Sequence, residues 1–332
     1  MDGCSTLPYH ESMSTASNPI VLASDIGATN ARFALVENPL GEARVVFQRI
    51  YPTASFPDFE PAIQTFLREA GCTPALAAIA IAGPVDDTSA RLTNRAHWTV
   101  DRSWFARQGI HATILNDFQA LAYGLTRAGP DDYVVLQPGN PAQGGVMAAV
   151  GAGTGLGVSA LFWDGQRYRT FPSEGGHISF APRTQKELEL FHYLQTRHGR
   201  VSAERVICGA GLVAVYDFLR QQCPQAEPIS EPAEVSRRAL ADPDSLPARA
   251  LDLFVGCYGA FAGDIALTFM ARGGLYVAGG IAAKLAPRLA RGDFLEAFNA
   301  KGRMRRVTET IPVRIVTNEL MGLMGAAYAA LE

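Results

Sequence analysis

One pattern occurs twice in this chain and limits what it can become. The segment LASDIGATNARFALVE (22–37) sets two apolar runs on either side of a polar knot, and GGVMAAVGAGTGLGVSALFW (144–163) repeats the arrangement. Apolar run, tight turn, apolar run reads as a β-hairpin, so strands are expected at 20–23, 32–36, 144–150 and 158–163. A repeated hairpin in 332 residues predicts two related halves. Further strands are read at 43–50, 75–83, 111–117, 275–278 and 311–316. Helices are read in FPDFEPAIQTFLREAG, stopped by Gly71, in FQALAYGL, around 184–198, 209–222 and 248–271, from near Ala282, and in MGLMGAAYAAL. Strands and helices alternate throughout, which is an α/β chain. No Pro/Gly/Ser linker separates the halves, so they are expected to pack tightly.

The turns carry the chemistry. In Asp25-Ile26-Gly27-Ala28-Thr29 a glycine permits φ > 0 and close backbone approach, and N–H groups with the Thr29 hydroxyl form a concavity suited to phosphate oxygens. A carboxylate beside such a pocket fits a hydrated Mg²⁺ bridging to phosphate; an ordinary hairpin turn fits the same residues. The second turn, Gly151-Ala152-Gly153-Thr154-Gly155-Leu156-Gly157, is too glycine-rich to be accidental. It is not the dinucleotide fingerprint, because Leu156 stands where the third glycine belongs and a strand follows. Nor is it a Walker loop, since none of the three lysines (Lys186, Lys284, Lys301) follows a glycine. Gly279-Gly280 offers a third bare stretch of backbone, for a flat base or ribose, or else a tight βα turn.

Between the turns lies a cluster of polar groups. Asn116-Asp117 ends a strand and precedes a helix, so Asp117 reads either as a helix N-cap or as a general base. Glu174 and His177 flank a Gly-Gly bend and can face one pocket. Glu204, by spacing alone, reads as a capping-box partner or an exposed helix charge. Asn, Asp, Glu and His together are rich in acceptors and poor in positive charge, which suits a neutral polyol such as a sugar.

Composition closes off other classes. A net charge of −3 gives no footprint for nucleic acid or membrane. Five scattered cysteines without a C-x-x-C predict reduced thiols in a cytoplasmic protein. Residues 1–18 have no basic start or apolar centre, so they read as a mobile extension rather than a signal peptide. The apolar stretch 250–271 holds Asp252 and Asp264 and reads as a buried core helix.

Taken in order, DIGATNARFAL, AIAIAGPV, LTNRAHW, LNDFQALAYGL, GAGTGLGVS, EGGHISFAP, VSAERVICGAGL, LYVAGGI and KGRMRRV resemble the bacterial glucokinase family. The resemblance spans roughly residues 20 to 325. It implies the two-lobed actin-like ATPase fold (ribonuclease H-like, with duplicated halves around a cleft), a small lobe of 19–117 plus 317–332 and a large lobe of 118–316. It also implies ATP-dependent phosphorylation of the D-glucose 6-hydroxyl, closure on sugar, and a homodimer. By position it assigns Ser24, Asp25, Ile26, Gly27, Ala28 and Thr29 to the first phosphate turn, with Asp25 near Mg²⁺ through water. Gly151, Gly153, Thr154 and Gly155 fall to the second turn, and Gly279 and Gly280 to the adenosine. Asn94, Asn116, Glu174, His177 and Glu204 correspond to sugar ligands, and Asp117 to a sugar contact and the base. Two departures stand out: Ala28 replaces a usual second glycine, and Ser179 replaces a frequent Asp. A left-handed backbone at position 28 would cost about 1 kcal/mol or more with Ala there. A related sugar kinase with another hexose preference is the nearest alternative. Its zinc-bearing version lacks the expected cysteines after His177, and a sugar-sensing regulator lacks room for a DNA-binding helix pair before the first strand. A chaperone-like ATPase would have no use for the sugar-type pocket.

Overall fold

A computed structural model describes residues 19–86, 88–93 and 98–331. The first half runs β1 (Ile20–Ile26), β2 (Asn30–Glu37), β3 (Arg44–Pro52), α1 (Phe59–Ala70), β4 (Leu76–Ile81), a short hairpin of β5 (Ser89–Arg91) and β6 (Thr99–Asp101), α2 (Arg102–Arg107), β7 (His111–Asn116) and α3 (Asp117–Leu125). The second half runs β8 (Tyr133–Gln137), β9 (Met147–Ala152), β10 (Leu156–Trp163), β11 (Tyr168–Ser173), α4 (Gln185–His198), α5 (Gly209–Arg220), α6 (Pro232–Ala241) and α7 (Leu246–Thr268). It ends with β12 (Gly274–Ala278), α8 (Gly279–Lys284), α9 (Ala286–Leu289), α10 (Asp293–Asn299), α11 (Arg305–Thr308), β13 (Val313–Val316) and α12 (Met321–Ala329).

The sheets confirm the duplication. One has the order β3-β2-β1-β4-β7, the other β11-β10-β9-β12-β13-β8. In each, three antiparallel strands lead back to a first strand that opens a parallel run, β1-β4-β7 or β9-β12-β13. The parallel strands are apolar without alternation (LAAIAI, GLYVA) because helices cover both faces. In the first half α1 turns Phe59, Ala62, Ile63 and Phe66 onto one face of its sheet, and Gly71 ends it with φ +69°. Each such aromatic contributes about 1.5–3 kcal/mol on burial.

The long apolar helix α7 is the spine of the larger core, with Phe254, Val255, Tyr258 and Ala262 buried. Its two aspartates are ion-paired at the edge, Asp252 with the buried Arg288 and Asp264 with Lys301. The four cysteines among the described residues are free thiols.

Helix α3 joins the halves. Ala120 packs with α12 and the alanine-rich face of the first sheet, while Ala122 and Leu125 pack with Met147, Leu161 and Tyr276 of the second. It meets α12 backbone to backbone: a Cβ on Gly325 would lie 1.8 Å from the Ala120 carbonyl oxygen. The two crossings between sheets, after α3 and after β13, are tied at Asp132. Its side chain accepts from Gly129 N (2.7 Å) and from Asn318 Nδ2 (2.7 Å), and its carbonyl accepts from Thr317 N (2.9 Å).

Candidate active site

The first turn is shorter than the sequence suggests. Strand β1 runs through Ile26 and β2 begins at Asn30, so Asp25 lies in a strand, in register with Arg32 across the hairpin. Alternation turns the side chains of Ser24 and Ile26 to the opposite face, where both are fully buried. Of that pair only backbone remains for a ligand. The turn closes through Gly27 N donating to Asn30 O (2.9 Å). Buried Thr53 pins it, with Oγ1 donating to Ala28 O (2.7 Å) and N to Thr29 O (2.9 Å). Neither Gly27 nor Ala28 has a positive φ, so the left-handed conformation expected of Gly27 is absent and Ala28 is unstrained.

The second turn also contracts, to residues 153–155, with Gly151 and Ala152 paired in β9 and Leu156 and Gly157 in β10. Its glycines divide by function. A Cβ on Gly151 or Gly157 would lie 2.3 Å from the ring of Phe118, so these two make room for the residue after Asp117. A Cβ on Gly155 would lie 2.6 Å from Glu204 Oε2. Only Gly153 faces open space, and Thr154 is exposed at the tip. The core fixes the turn from below, Ala152 N donating to the buried Tyr258 hydroxyl (3.1 Å). Gly279 has φ +85° and abuts the Ala152 carbonyl, whereas the Gly280 α-carbon is open. Helix α8 therefore starts at this pair, three residues before the expected Ala282.

At 116–117 the capping role falls to Asn116. Asn116 is the N-cap: its Oδ1 accepts from Phe118 N (2.9 Å), and its own N donates to Gln119 Oε1 (3.2 Å) in a capping box. Its Nδ2 donates to Gly83 O (3.2 Å), which leaves one amide hydrogen for a ligand. Asp117 is the first residue of α3, and its Oδ1 shares the Phe118 N–H (2.9 Å). Burial pushes its carboxyl up to about 6, the charges of Asp25 and Glu174 add to the rise, and the Phe118 N–H opposes it. Burial likewise raises Asp25, against the pull of Arg32.

Glu174, whose charge reaches Asp117, clusters with His177 and Glu204. His177 Nε2 is 3.8 Å from Glu174 Oε2, and Nδ1 is 3.9 Å from Glu204 Oε1. Glu204 is neither a capping partner nor a free surface charge: its Oε2 accepts from Leu156 N (2.9 Å) at the second turn. Ser179 forms a backbone bridge with Ser202, which aligns the two loops that carry His177 and Glu204. Asn94 lies outside the described residues, as does the 1–18 segment.

A cavity of about 300 Å³ gathers Asp25, Asp117, Gly279 and Gly280 between the halves. It also contains residues that sequence reasoning missed. Arg32 lines it beside Asp25, its Nη1 donating to Glu319 O (3.2 Å), so the site has a cation after all. Phe118 and Asn318 complete the wall. Arg32 was findable, because once the turn is limited to 27–29 antiparallel register places it opposite Asp25. Nothing in the sequence marks Asn318. Among the described residues no three His, Cys, Asp or Glu side chains converge as a metal cage. The Asp25 carboxyl in the cavity is the donor that Mg²⁺ held mainly by water and a ligand's phosphates would use.

The glucokinase family profile matches residues 22–332. A glucokinase of Synechocystis is 42% identical, over 94% of this chain and 98% of its own length. The crystal structure of a glucokinase from an Antarctic psychrotroph superposes with a TM-score of 0.83 at 31% identity, covering 94% of this chain and 98% of that one. More remotely, a ROK family glucokinase from Streptomyces griseus, solved with glucose and AMPPNP, shares the fold. Its TM-score is 0.65 at 20% identity, covering 94% of this chain and 99% of that one. With a duplicated two-lobed α/β fold and matches along nearly its whole length, the chain belongs to the glucokinase family.

Proposed function

We propose that this protein transfers the γ-phosphoryl group of ATP to the 6-hydroxyl of D-glucose, with Asp117 as general base. The observation that carries the reading is one cavity lined by the Asp117 carboxyl, pushed up to about 6 by burial, the Asp25 carboxyl, an arginine and an open glycine backbone. Above pH 6 Asp117 is a carboxylate close to its proton-transfer optimum. It takes the hydroxyl proton as the sugar oxygen bonds to the γ-phosphorus and the bond to ADP breaks. Asn116, Glu174, His177 and Glu204 accept from and donate to the sugar hydroxyls and orient the 6-oxygen for in-line attack. With the Gly27 and Gly153 N–H groups spent within their turns, the N–H groups of Thr29, Thr154 and Gly155 hold the phosphates, Arg32 faces their charge, and Gly280 lies open to the nucleoside. Mg²⁺, held by Asp25 through water and by the phosphates, supplies charge neutralisation when bound.

The lobes in this reading are 19–117 with 317–332, and 118–316, with α3 as the joint. The expectations of a cytoplasmic enzyme and of a homodimer go with it, the latter checked by sedimentation velocity. The decisive test is a coupled assay for glucose 6-phosphate with Mg·ATP, run over a panel of hexoses and beside Asp117→Ala. Turnover of glucose that the variant loses supports the assignment. Absence of turnover with glucose, or a fully active variant, removes it.

A further inference from the structure

Glu204 belongs to two sites at once. Its Oε1 faces His177 and its Oε2 accepts the backbone N–H of Leu156, the first residue after the phosphate turn. The same residue is gripped from the other side, since the Gly176 α-carbon sits so close to the Leu156 carbonyl that a Cβ would lie 1.8 Å from it. The segment that carries Glu204 then reaches the turn a second time, Gly209 N donating to Gly153 O (2.9 Å). Ala203 N donates to Ile178 O (2.8 Å), which locks that segment to the His177 loop. Sugar-side residues and donor-side backbone are therefore one hydrogen-bonded body, with a carboxylate as the joint.

We propose that Glu204 is a positioning strut that couples sugar occupancy to the geometry of the phosphate turn, and that Gly155 exists to admit it. A carboxylate that accepts a sugar hydroxyl on one oxygen is held in the rotamer that anchors Leu156 N with the other. Binding of either ligand then orders the site of the other, and the effect is reciprocal. This rests on the sugar-kinase reading above.

The test measures glucose dissociation constants by calorimetry, with and without Mg²⁺ and a non-hydrolysable ATP analogue. In the unaltered protein the analogue tightens glucose by about fivefold or more. Gly155→Ala drives a methyl against the Glu204 carboxylate. Glucose binding without nucleotide is then expected to weaken about tenfold, although Gly155 faces no sugar, and the coupling to fall to about one. Gly153→Ala, whose methyl meets nothing within 4 Å, leaves nucleotide-free glucose binding unchanged. If Gly155→Ala alters only nucleotide binding and preserves the coupling, the strut is refuted while the kinase reading stands. If the unaltered protein binds no glucose, both fall. Should Gly155→Ala not fold, Glu204→Asp serves, its shorter side chain unable to span both sites. Unchanged affinity for the analogue alone in that variant overturns the proposal, and weakened affinity supports it.

Discussion

Asp117→Asn should slow turnover by orders of magnitude and stabilise the fold, and the pH dependence of the second effect tests the physical account of the site. The side chain keeps its shape, and an amide oxygen still accepts from Phe118 N as the carboxylate does at 2.9 Å. What disappears is a charge that burial and its acidic neighbours oppose. A carboxyl that titrates at about 6 in the native state and at its ordinary 3.8 when unfolded favours the native state while protonated and costs stability once ionised. Wild type therefore loses stability as pH rises from about 4 to about 6 and reaches a constant penalty above that. The gap between 3.8 and about 6 corresponds to about 3 kcal/mol near pH 8 and about 1.6 kcal/mol near pH 5. The Asn variant escapes this penalty, so its advantage should roughly double between those two pH values. It should appear as a melting temperature higher by about 5 °C or more near pH 8. Turnover should fall by about 10²–10⁴-fold. Scanning calorimetry of both proteins at the two pH values, without sugar or nucleotide, is the assay. A variant no more stable than wild type near pH 8, or an advantage that does not change with pH, would show that Asp117 is not a strained, desolvated base.

Three further outcomes follow from the packing. Gly157→Ala places a methyl against the Phe118 ring and should cost about 1–3 kcal/mol in urea unfolding, whereas Gly153→Ala should leave stability within about 0.5 kcal/mol. Arg32→Ala should raise the KM for ATP about tenfold or more and leave glucose binding without nucleotide intact; an unchanged ATP KM would separate Arg32 from the phosphates. Asp132→Asn and Asn318→Asp should each be destabilising, since the first turns an amide NH2 toward either the Gly129 N–H or the Asn318 NH2 and the second sets two carboxylates face to face. The double exchange reverses the 132–318 hydrogen bond and still leaves an oxygen for Gly129 N and for Leu320 N, so it should recover stability; no recovery would mean that the Asp132–Asn318 contact does not hold the crossing segments.

The duplicated fold was legible because its signal is redundant. Parallel strands covered on both faces must be apolar throughout, and LAAIAI and VMAAV leave little else to build. Edge strands carry no such mark. β8 (YVVLQ) exposes Val134 and Val135, and β11 (YRTFPS) exposes Phe171, so neither shows a buried face to read. Helix α8 was displaced by three residues because Gly279-Gly280 looks like a turn, whereas a glycine at φ +85° can step from strand directly into helix. Asn116-Asp117 was legible as a pair of adjacent acceptors at a strand end, one of which caps the helix. Which of the pair takes which role depends on Gln119 completing a capping box, and sequence spacing leaves that open.

The glycine-rich turn shows why a motif can point to the right place for an incomplete reason. Its glycines suggest bare backbone offered to phosphate, yet even Gly153, whose α-carbon faces open space, spends its N–H on Gly155 O (2.8 Å) and its carbonyl on Gly209 N (2.9 Å). Gly151 and Gly157 instead admit the ring of Phe118, and Gly155 admits the carboxylate of Glu204. Phe118 is the neighbour of Asp117 on a helix that packs against both sheets. The glycines therefore dock the helix that carries Asp117 onto the β9–β10 hairpin, and in the proposed mechanism the separation between base and donor is set by a ring wedged into β9 and β10. A methyl added at Gly151 or Gly157 would push that helix away from the turn without touching a ligand. Turnover should then fall even where ATP and glucose still bind, because in-line transfer depends on the spacing of the reacting atoms rather than on the presence of each group.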